Sequence, residues 1–108
     1  MTTKAIRDIL DERQRQVEVE GFDLAHDRTH QPGTLSEASM CYTEEAVFLQ
    51  RNPSVHSPWP APPVNWPWDF SGWKPVNART SLVKAAALII AEIERIDLEP
   101  IAELIFNY

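Results

Sequence analysis

Apolar residues recur at helical spacing along most of the chain, and no alternating strand pattern of useful length interrupts them. The pattern predicts three main helices, at about residues 4–20, 35–50 and 78–97. The first predicted helix carries its inward face at Ile6, Ile9, Leu10, Arg13 and Val17. Gly21 follows at the position where a helix commonly stops. This first helix is therefore expected to be amphipathic and to pack as one layer on the rest of the protein.

The second predicted helix opens on the tetrapeptide Thr34-Leu-Ser-Glu37, which matches a capping box. In that motif the threonine hydroxyl and the glutamate carboxylate bond to free amides of the first turn. Asn52-Pro53 ends the helix. Its inward face is expected at Leu35, Ala38, Ser39, Tyr42, Ala46 and Leu49.

The third predicted helix has Asn77 or Thr80 as its N-cap and runs to about Asp97. It is apolar around most of its circumference, which is typical of a helix buried on nearly all sides. Pro100 is expected to close it, and the apolar tail 101–108 then needs a docking surface. Because two other helices are too few to cover such a helix, we expect the preceding loop or another subunit to cover the rest. A homo-oligomer is predicted.

Residues 53–75 contain all four tryptophans and seven of the nine prolines of the chain. Proline lacks an amide proton and fixes φ, so neither a regular helix nor a central strand can pass through this stretch. Disordered segments are poor in aromatic residues. The sequence therefore predicts a long, ordered loop whose rings either roof the core or line a binding site.

Composition and charge narrow the class of protein. The 108 residues suit one domain, with 44% apolar and 24% charged residues. The net charge of −6 argues against binding to nucleic acid or to anionic membranes. The chain has no apolar run long enough for a membrane span, no signal-peptide pattern at its start and a single cysteine, so we expect a cytoplasmic protein. Cys41 has no base nearby in sequence and is expected to be a small buried residue.

The segment between the first two predicted helices holds His26, Asp27 and His30. Imidazole and carboxylate groups at this spacing are suitable ligands for a divalent metal. Two other interpretations stay open: the histidines bond the loop backbone while Asp27 caps a turn, or the three residues shape the polar rim of a ligand site without metal.

Acidic residues line the second and third predicted helices, at Glu37, Glu44, Glu45, Glu92, Glu94 and Asp97. Carboxylates one turn apart on facing helices can hold Mg²⁺ beside a nucleotide's phosphates, as in all-α pyrophosphohydrolases of the MazG type. Glu94 and Asp97 have a suitable spacing, whereas Glu44 and Glu45 are adjacent. The alternative is a solvated face of an acidic protein.

The end of the Pro/Trp loop combines rings and cations, in Trp66, Trp68, Trp73, Lys74 and Arg79. Stacking rings beside cations suit a nucleobase and its phosphate, with the amide of Asn65 nearby. Arg79 also precedes the third helix, whose N-terminus attracts anions. In the alternative interpretation the indoles only roof the core.

Several blocks of sequence, in this order, resemble a family of small proteins common in phages and prophages. The resemblance covers about residues 5–97 and lies in Glu12-Arg-Gln-Arg-Gln16, Glu20-Gly-Phe22, His26-Asp-x-x-His30, Trp66-Pro-Trp-Asp69, Trp73-Lys-Pro75 and Leu82–Asp97. Some phage proteins of this size are anti-defence sponges, which bind a host signalling nucleotide without cleaving it, and this chain resembles one such class, the Thoeris anti-defence sponges. The family's Gly-Glu-Leu-Ala block is replaced here by Gly33-Thr-Leu-Ser36, which removes one acid that a MazG-type enzyme would use.

Together these observations predict an all-α, homo-oligomeric protein that captures a small nucleotide-like ligand without an enzymatic reaction and without a cofactor. The rings of Trp66, Trp68 and Trp73 would stack on the ligand, while Lys74 and Arg79 would bind its phosphates. His26, Asp27 and His30 would form the rim. Two alternatives remain. One is a Mg²⁺-dependent pyrophosphohydrolase that uses Glu44, Glu45, Glu94 and Asp97; the other is an acidic inhibitor of a host protein.

Overall fold

The computed structural model describes residues 1–19 and 31–106, with side chains up to residue 98. This part of the chain is helical and contains no strand. Its main helices are α1 (Lys4–Glu18), α2 (Thr34–Arg51) and α3 (Ala78–Phe106), and one turn of 3-10 helix spans Phe70–Gly72. The predicted all-α class is confirmed.

Helix α1 buries a polar side rather than its most apolar one. Its first turn is capped by the Thr3 hydroxyl, which accepts a hydrogen bond from the Ile6 amide at 3.3 Å. Arg13 and Gln16 are buried, whereas Ile6 and Leu10 are about half exposed. The predicted inward face is therefore wrong at Ile6 and Leu10. The reason lies in α3, because the Arg13 guanidinium donates to the Glu94 carboxylate at 3.0 Å.

Helix α2 starts at a glycine cap and not at the predicted capping box. Gly33 is the N-cap, with a left-handed φ of 89°, and Thr34 is already the first helical residue. The Gly33 carbonyl accepts a hydrogen bond from the Glu37 amide at 2.8 Å. Since glycine adopts positive φ without a Cβ penalty, the turn at Pro32-Gly33 sets the start of the helix.

Helices α2 and α3 run antiparallel and form the core. Ser36 near the start of α2 bonds to Glu92, while Ser39 donates to the carbonyl of Ala85, which lies earlier in α3. The predicted inward face of α2 is buried except for the half-buried Leu49. The buried apolar core consists of Leu35, Ala38, Cys41, Tyr42, Trp66, Trp73, Ala85, Leu88 and Ala91.

Helix α3 starts as predicted and ends later than predicted. The Asn77 side chain accepts a hydrogen bond from the Thr80 amide at 2.8 Å, as an N-cap does. The helix then continues through Pro100 to Phe106, so the predicted end near Asp97 is wrong. Proline costs a helix one backbone hydrogen bond and some steric strain, but it does not forbid the helix from continuing. Residues 101–106 therefore extend α3 and do not form a separate tail.

A buried carboxylate, Glu92, joins the start of α2 to α3. It accepts hydrogen bonds from the Ser36 hydroxyl at 3.1 Å and from the Arg95 guanidinium at 2.7 Å. Burial alone would raise the pKa of Glu92, but the hydrogen bonds from Arg95 and Ser36 outweigh it and hold the pKa below its usual value.

This lowered pKa predicts a loss of stability in acid. The contribution of Glu92 to the free energy of unfolding is fully present above its ordinary pKa of 4.5 and is lost as the pH falls through the lower, folded-state value. At pH 7 we expect Glu92→Gln to lower the free energy of unfolding by about 1–2 kcal/mol relative to the wild type. Urea titrations from pH 7 to pH 3 should show this difference shrinking towards acid. The exposed Glu18→Gln serves as the control, and a difference that stays constant with pH would contradict the assignment.

Candidate functional site

The rings of the Pro/Trp loop pack against α2 and against one another. Trp66 and Trp73 are buried, with their ring centroids 5.1 Å apart. Tyr42 of α2 stacks on Trp73 at 4.6 Å and meets Trp66 edge to face at 5.6 Å. Trp68 is half-buried and lies edge-on to Trp66 at 5.4 Å. In this arrangement Trp66 and Trp73 do not form the stacking surface for a ligand that the sequence predicted.

The polar edges of these rings are bonded to the loop as well. The indole N–H of Trp66 donates to the carbonyl of Asp69, and that of Trp73 donates to the carbonyl of Trp59, both at 3.0 Å. The Tyr42 hydroxyl accepts a hydrogen bond from the backbone amide of Lys74 at 3.1 Å. Each ring therefore helps to fix the path of the loop over α2.

Glu45 has no exposed surface and acts as a structural acceptor. Its carboxylate accepts hydrogen bonds from the Ser81 hydroxyl at 2.7 Å and from the Trp59 amide at 3.1 Å. Of the other predicted Mg²⁺ ligands, Glu44 and Asp97 are exposed, and Glu94 is paired with Arg13. Within residues 1–19 and 31–98, no three His, Cys, Asp or Glu side chains lie close enough together to hold a metal ion.

Arg79 lies at a charged cleft between α1 and α3. Its guanidinium pairs with the Asp8 carboxylate at 2.9 Å. Hydrogen bonds from Lys4 and then from Arg79 lower the pKa of Asp8. The cleft has a volume of about 280 Å³ and is lined by Asp8, Asp11, Glu12, Arg15, Arg79, Thr80 and Val83. Its three acids outnumber its two bases, so it does not suit a phosphate group. Lys74 is exposed on the loop.

A larger cavity, of about 550 Å³, lies where α2, the loop and α3 meet. Its lining residues are Ser39, Met40, Thr43, Glu44, Asn65 and Ile89. Met40 and Ile89, which are 60% and 39% exposed, give it apolar walls. We call this space the α2–loop cavity. Its volume lies within the range of about 300–1,000 Å³ that is usual for small-molecule sites.

Hydrogen bonds orient the polar groups of the α2–loop cavity. The Ser39 hydroxyl donates to the Ala85 carbonyl at 2.8 Å, and the Thr43 hydroxyl donates to the Ser39 carbonyl at 3.0 Å. Because both protons are used in this way, these hydroxyl oxygens offer lone pairs as acceptors. The Glu44 carboxylate adds further acceptors.

The side chain of Asn65 is oriented by a buried thiol. The Cys41 Sγ donates to Asn65 Oδ1 at 3.4 Å. Burial, with smaller effects from Glu44 and Glu37, raises the pKa of Cys41 to about 11, so the thiol keeps its proton at neutral pH. Since the acceptor atom of Asn65 faces Cys41, the amide Nδ2 is the donor that Asn65 offers. The cavity therefore combines several acceptors, one amide donor and two apolar walls.

Among the described site residues, Trp66, Trp68 and Trp73 lie together, whereas Arg79 lies apart from them at the cleft between α1 and α3. Trp66 and Trp73 lie in the core, and Arg79 is paired with Asp8. His26, Asp27 and His30 lie outside the described residues, so their part stays a prediction. The sequence indicated Asn65 only as an amide near the loop tryptophans and not as one of the predicted ligand-binding residues. It missed Met40, Thr43 and Ile89 as lining residues, because single apolar or hydroxyl residues on a helix give no local signal of a cavity.

In comparisons with known proteins, no family model, no curated protein and no solved structure matches this chain. Among the described residues, no helix combines the length and the apolar character that crossing a membrane requires.

We predict that Glu45 contributes strongly to stability. Glu45→Ala leaves the Ser81 hydroxyl and the Trp59 amide without their acceptor, which should lower the free energy of unfolding by about 3 kcal/mol. Glu45→Gln keeps one acceptor oxygen and should lose less. The exposed neighbour provides the control, since Glu44→Ala should change stability by less than about 0.5 kcal/mol. Equal urea midpoints for Glu45→Ala and Glu44→Ala would contradict this role.

A second prediction concerns the packed rings of the loop. Trp73→Ala removes the ring stacked on Tyr42 and should cost about 3–5 kcal/mol of stability. Phe70→Ala serves as the matched control, because Phe70 is an aromatic residue of the same loop that is 72% exposed. Thermal unfolding followed by near-ultraviolet circular dichroism measures both variants. If Trp73→Ala unfolds at the wild-type temperature, the rings do not belong to the core.

Proposed function

We propose that this protein is a non-enzymatic, homo-oligomeric binding protein that takes up a small nucleotide-like ligand in the α2–loop cavity. The observation that carries the proposal is the cavity itself, which joins apolar walls to converging polar groups in a space of about 550 Å³. The proposed ligand class is the one expected from the sequence, but the proposed binding site is a different one. The site moves from the faces of Trp66, Trp68 and Trp73 to the neighbouring cavity.

The walls of the cavity suit a flat, weakly polar ring. Met40 and Ile89 come from different helices and are both partly exposed at the cavity. A methionine thioether is polarisable and adapts its shape, and it makes favourable contacts with aromatic rings. A heterocyclic base placed between these two side chains would bury its faces without a tryptophan.

The polar groups of the cavity favour a base that carries an amino group. Ser39, Thr43 and Glu44 present acceptor oxygens, and an exocyclic amino group supplies the matching N–H donors. The Asn65 amide can donate to a ring nitrogen or a carbonyl oxygen. The negative charge of Glu44 disfavours a phosphate inside the cavity. The ligand's phosphates would therefore face solvent.

The other two functions expected from sequence gain less support. Nothing in the described residues favours the Mg²⁺-dependent pyrophosphohydrolase. Of its four expected ligands, Glu45 is buried, Glu94 is paired with Arg13, and Glu44 and Asp97 are exposed on different helices. The acidic inhibitor of a host protein rests on the net charge of −6 alone. Phage origin and the comparison with anti-defence sponges stay predictions from the sequence.

The test is calorimetry with adenosine, inosine and their linear and cyclic phosphates. Adenosine carries an amino group at C6 and an acceptor nitrogen at N1, whereas inosine carries a carbonyl at C6 and a proton on N1. We expect the adenine compounds to bind with a Kd below about 100 µM and to raise Tm by mass action, and we expect the inosine compounds to bind at least about tenfold more weakly.

Variants separate the proposed contacts from general effects. Glu44→Gln should narrow the preference for adenosine over inosine, and Asn65→Ala should weaken adenosine by about tenfold. Val64→Ala is the matched control, because Val64 is the fully exposed neighbour of Asn65. The proposal fails if no compound binds more tightly than millimolar, if inosine binds as well as adenosine, or if bound nucleotide is recovered cleaved.

A further inference from the structure

One face of α3 carries large apolar side chains that the fold leaves exposed. Leu82, Ile89, Ile93 and Ile96 are 40%, 39%, 51% and 49% exposed, and the half-buried Ala86 lies between the first two. We call these five residues the α3 seam. Exposed aliphatic side chains in a continuous row are unusual for a monomer and commonly mark an interface.

The spacing of the α3 seam is that of a coiled coil. Its members follow one another at intervals of four, three, four and three residues, which is the alternation of the a and d positions of a heptad. At 1.5 Å per residue the seam is about 21 Å long. Such a row pairs best with another helix that carries the same spacing.

We infer that the α3 seam binds the same seam of a second copy of this chain, with the two α3 helices antiparallel. We align the two helices so that each a position of one copy meets a d position of the other. In this register Leu82 of one copy lies opposite Ile93 of the other. Ala86 then lies opposite Ile89, which sets a small side chain against a large one. Ile96 lies beyond these four paired positions, beside Arg79 of the other copy. The inference specifies the homo-oligomer of the proposed function.

Charge selects both the second copy and the antiparallel direction. Arg79 lies three residues before Leu82, the first residue of the seam, and its side chain is 56% exposed. The exposed Asp97 directly follows Ile96 at the other end of the seam. Antiparallel pairing brings Arg79 of each copy close to Asp97 of the other. Parallel pairing would instead place Arg79 against Arg79 and Asp97 against Asp97. Opposed helix dipoles add to the same preference.

The seam is continuous with the α2–loop cavity. Ile89 belongs to both, and Met40 adds a further side chain that is 60% exposed. A second copy would therefore lie along the rim of the cavity. Contact with the rim would add buried area to that of the seam, and a standard interface buries roughly 800 Å² per partner. That the second copy shelters the bound ligand rests on the proposed function. The pairing itself does not, and it is tested without ligand.

The first test measures the mass of the ligand-free protein by sedimentation equilibrium. The wild type should be a dimer at about 100 µM. Ile93→Asp should be monomeric, with an unchanged helical circular dichroism spectrum because Ile93 is half exposed. The control is Val76→Asp, since Val76 is 57% exposed and lies outside the seam. Val76→Asp should stay dimeric, and a monomeric wild type or an Ile93→Asp protein that remains dimeric would overturn the inference.

The second test reads the direction of pairing by cross-linking with a short thiol-reactive reagent. Cys41 is fully buried and stays unreactive in the folded protein. A mixture of Leu82→Cys and Ile93→Cys proteins should cross-link to each other far faster than Leu82→Cys protein cross-links to itself. The reverse result would mean parallel pairing and would overturn the inference.

A charge exchange gives an independent check of the register. Arg79→Glu and Asp97→Arg should each weaken the dimer by about tenfold, and the double variant should recover most of the lost affinity. Since the Asp8–Arg79 pair lies within one copy, its loss in Arg79→Glu would not be repaired by Asp97→Arg. Absence of recovery in the double variant would overturn the register.

Discussion

Prolines deprive the 53–75 loop of amide protons and of regular backbone geometry, so its remaining polar groups must find partners on the helices. Glu45 meets this need from inside the protein. Its buried carboxylate binds the Trp59 amide of the loop and the Ser81 hydroxyl of α3. Tyr42, one turn earlier on α2, binds the Lys74 amide and stacks on Trp73. The cavity exists because this loop is fixed beside α2, since Asn65 closes one of its sides.

The same arrangement explains why α3 keeps an exposed apolar face. A helix that is apolar around most of its circumference needs cover on every side. Helix α2 covers one side through Ser36 and Ser39, which bond to Glu92 and to the Ala85 carbonyl of α3, and α1 reaches another side through Arg13. The loop rings pack mainly against Tyr42 and Phe48 of α2, so they leave Ile93 and its neighbours open. An apolar helix face that the described part of the chain leaves exposed is what a second copy can bury.

Sequence periodicity predicted what depends on local spacing. Ala38, Tyr42 and Ala46 repeat at helical intervals, and their burial follows from that alone. It failed where a distant partner decides. Ile6 and Leu10 were expected on the inward face of α1 but are about half exposed, because α1 meets α3 through Arg13 and Glu94, a partner that no pattern within α1 reveals. The start of α2 depends on which residue takes a positive φ. Gly33 does so at little cost and becomes the N-cap, so Thr34 lies inside the helix and not at the cap position that the sequence predicted.

The candidate site shows the same division between local and distant causes. Trp73, Lys74 and Arg79 are close in sequence and suggested a base and phosphate site, but Trp73 stacks on Tyr42 in the core and Arg79 pairs with Asp8 at a separate cleft. The cavity instead joins Met40, Asn65 and Ile89, which are far apart in the chain. A chain of net charge −6 repels phosphate at long range. Under the proposed function, affinity must therefore come from short-range bonds to the base. This requirement is met by a cavity rich in acceptors and not by a surface rich in cations.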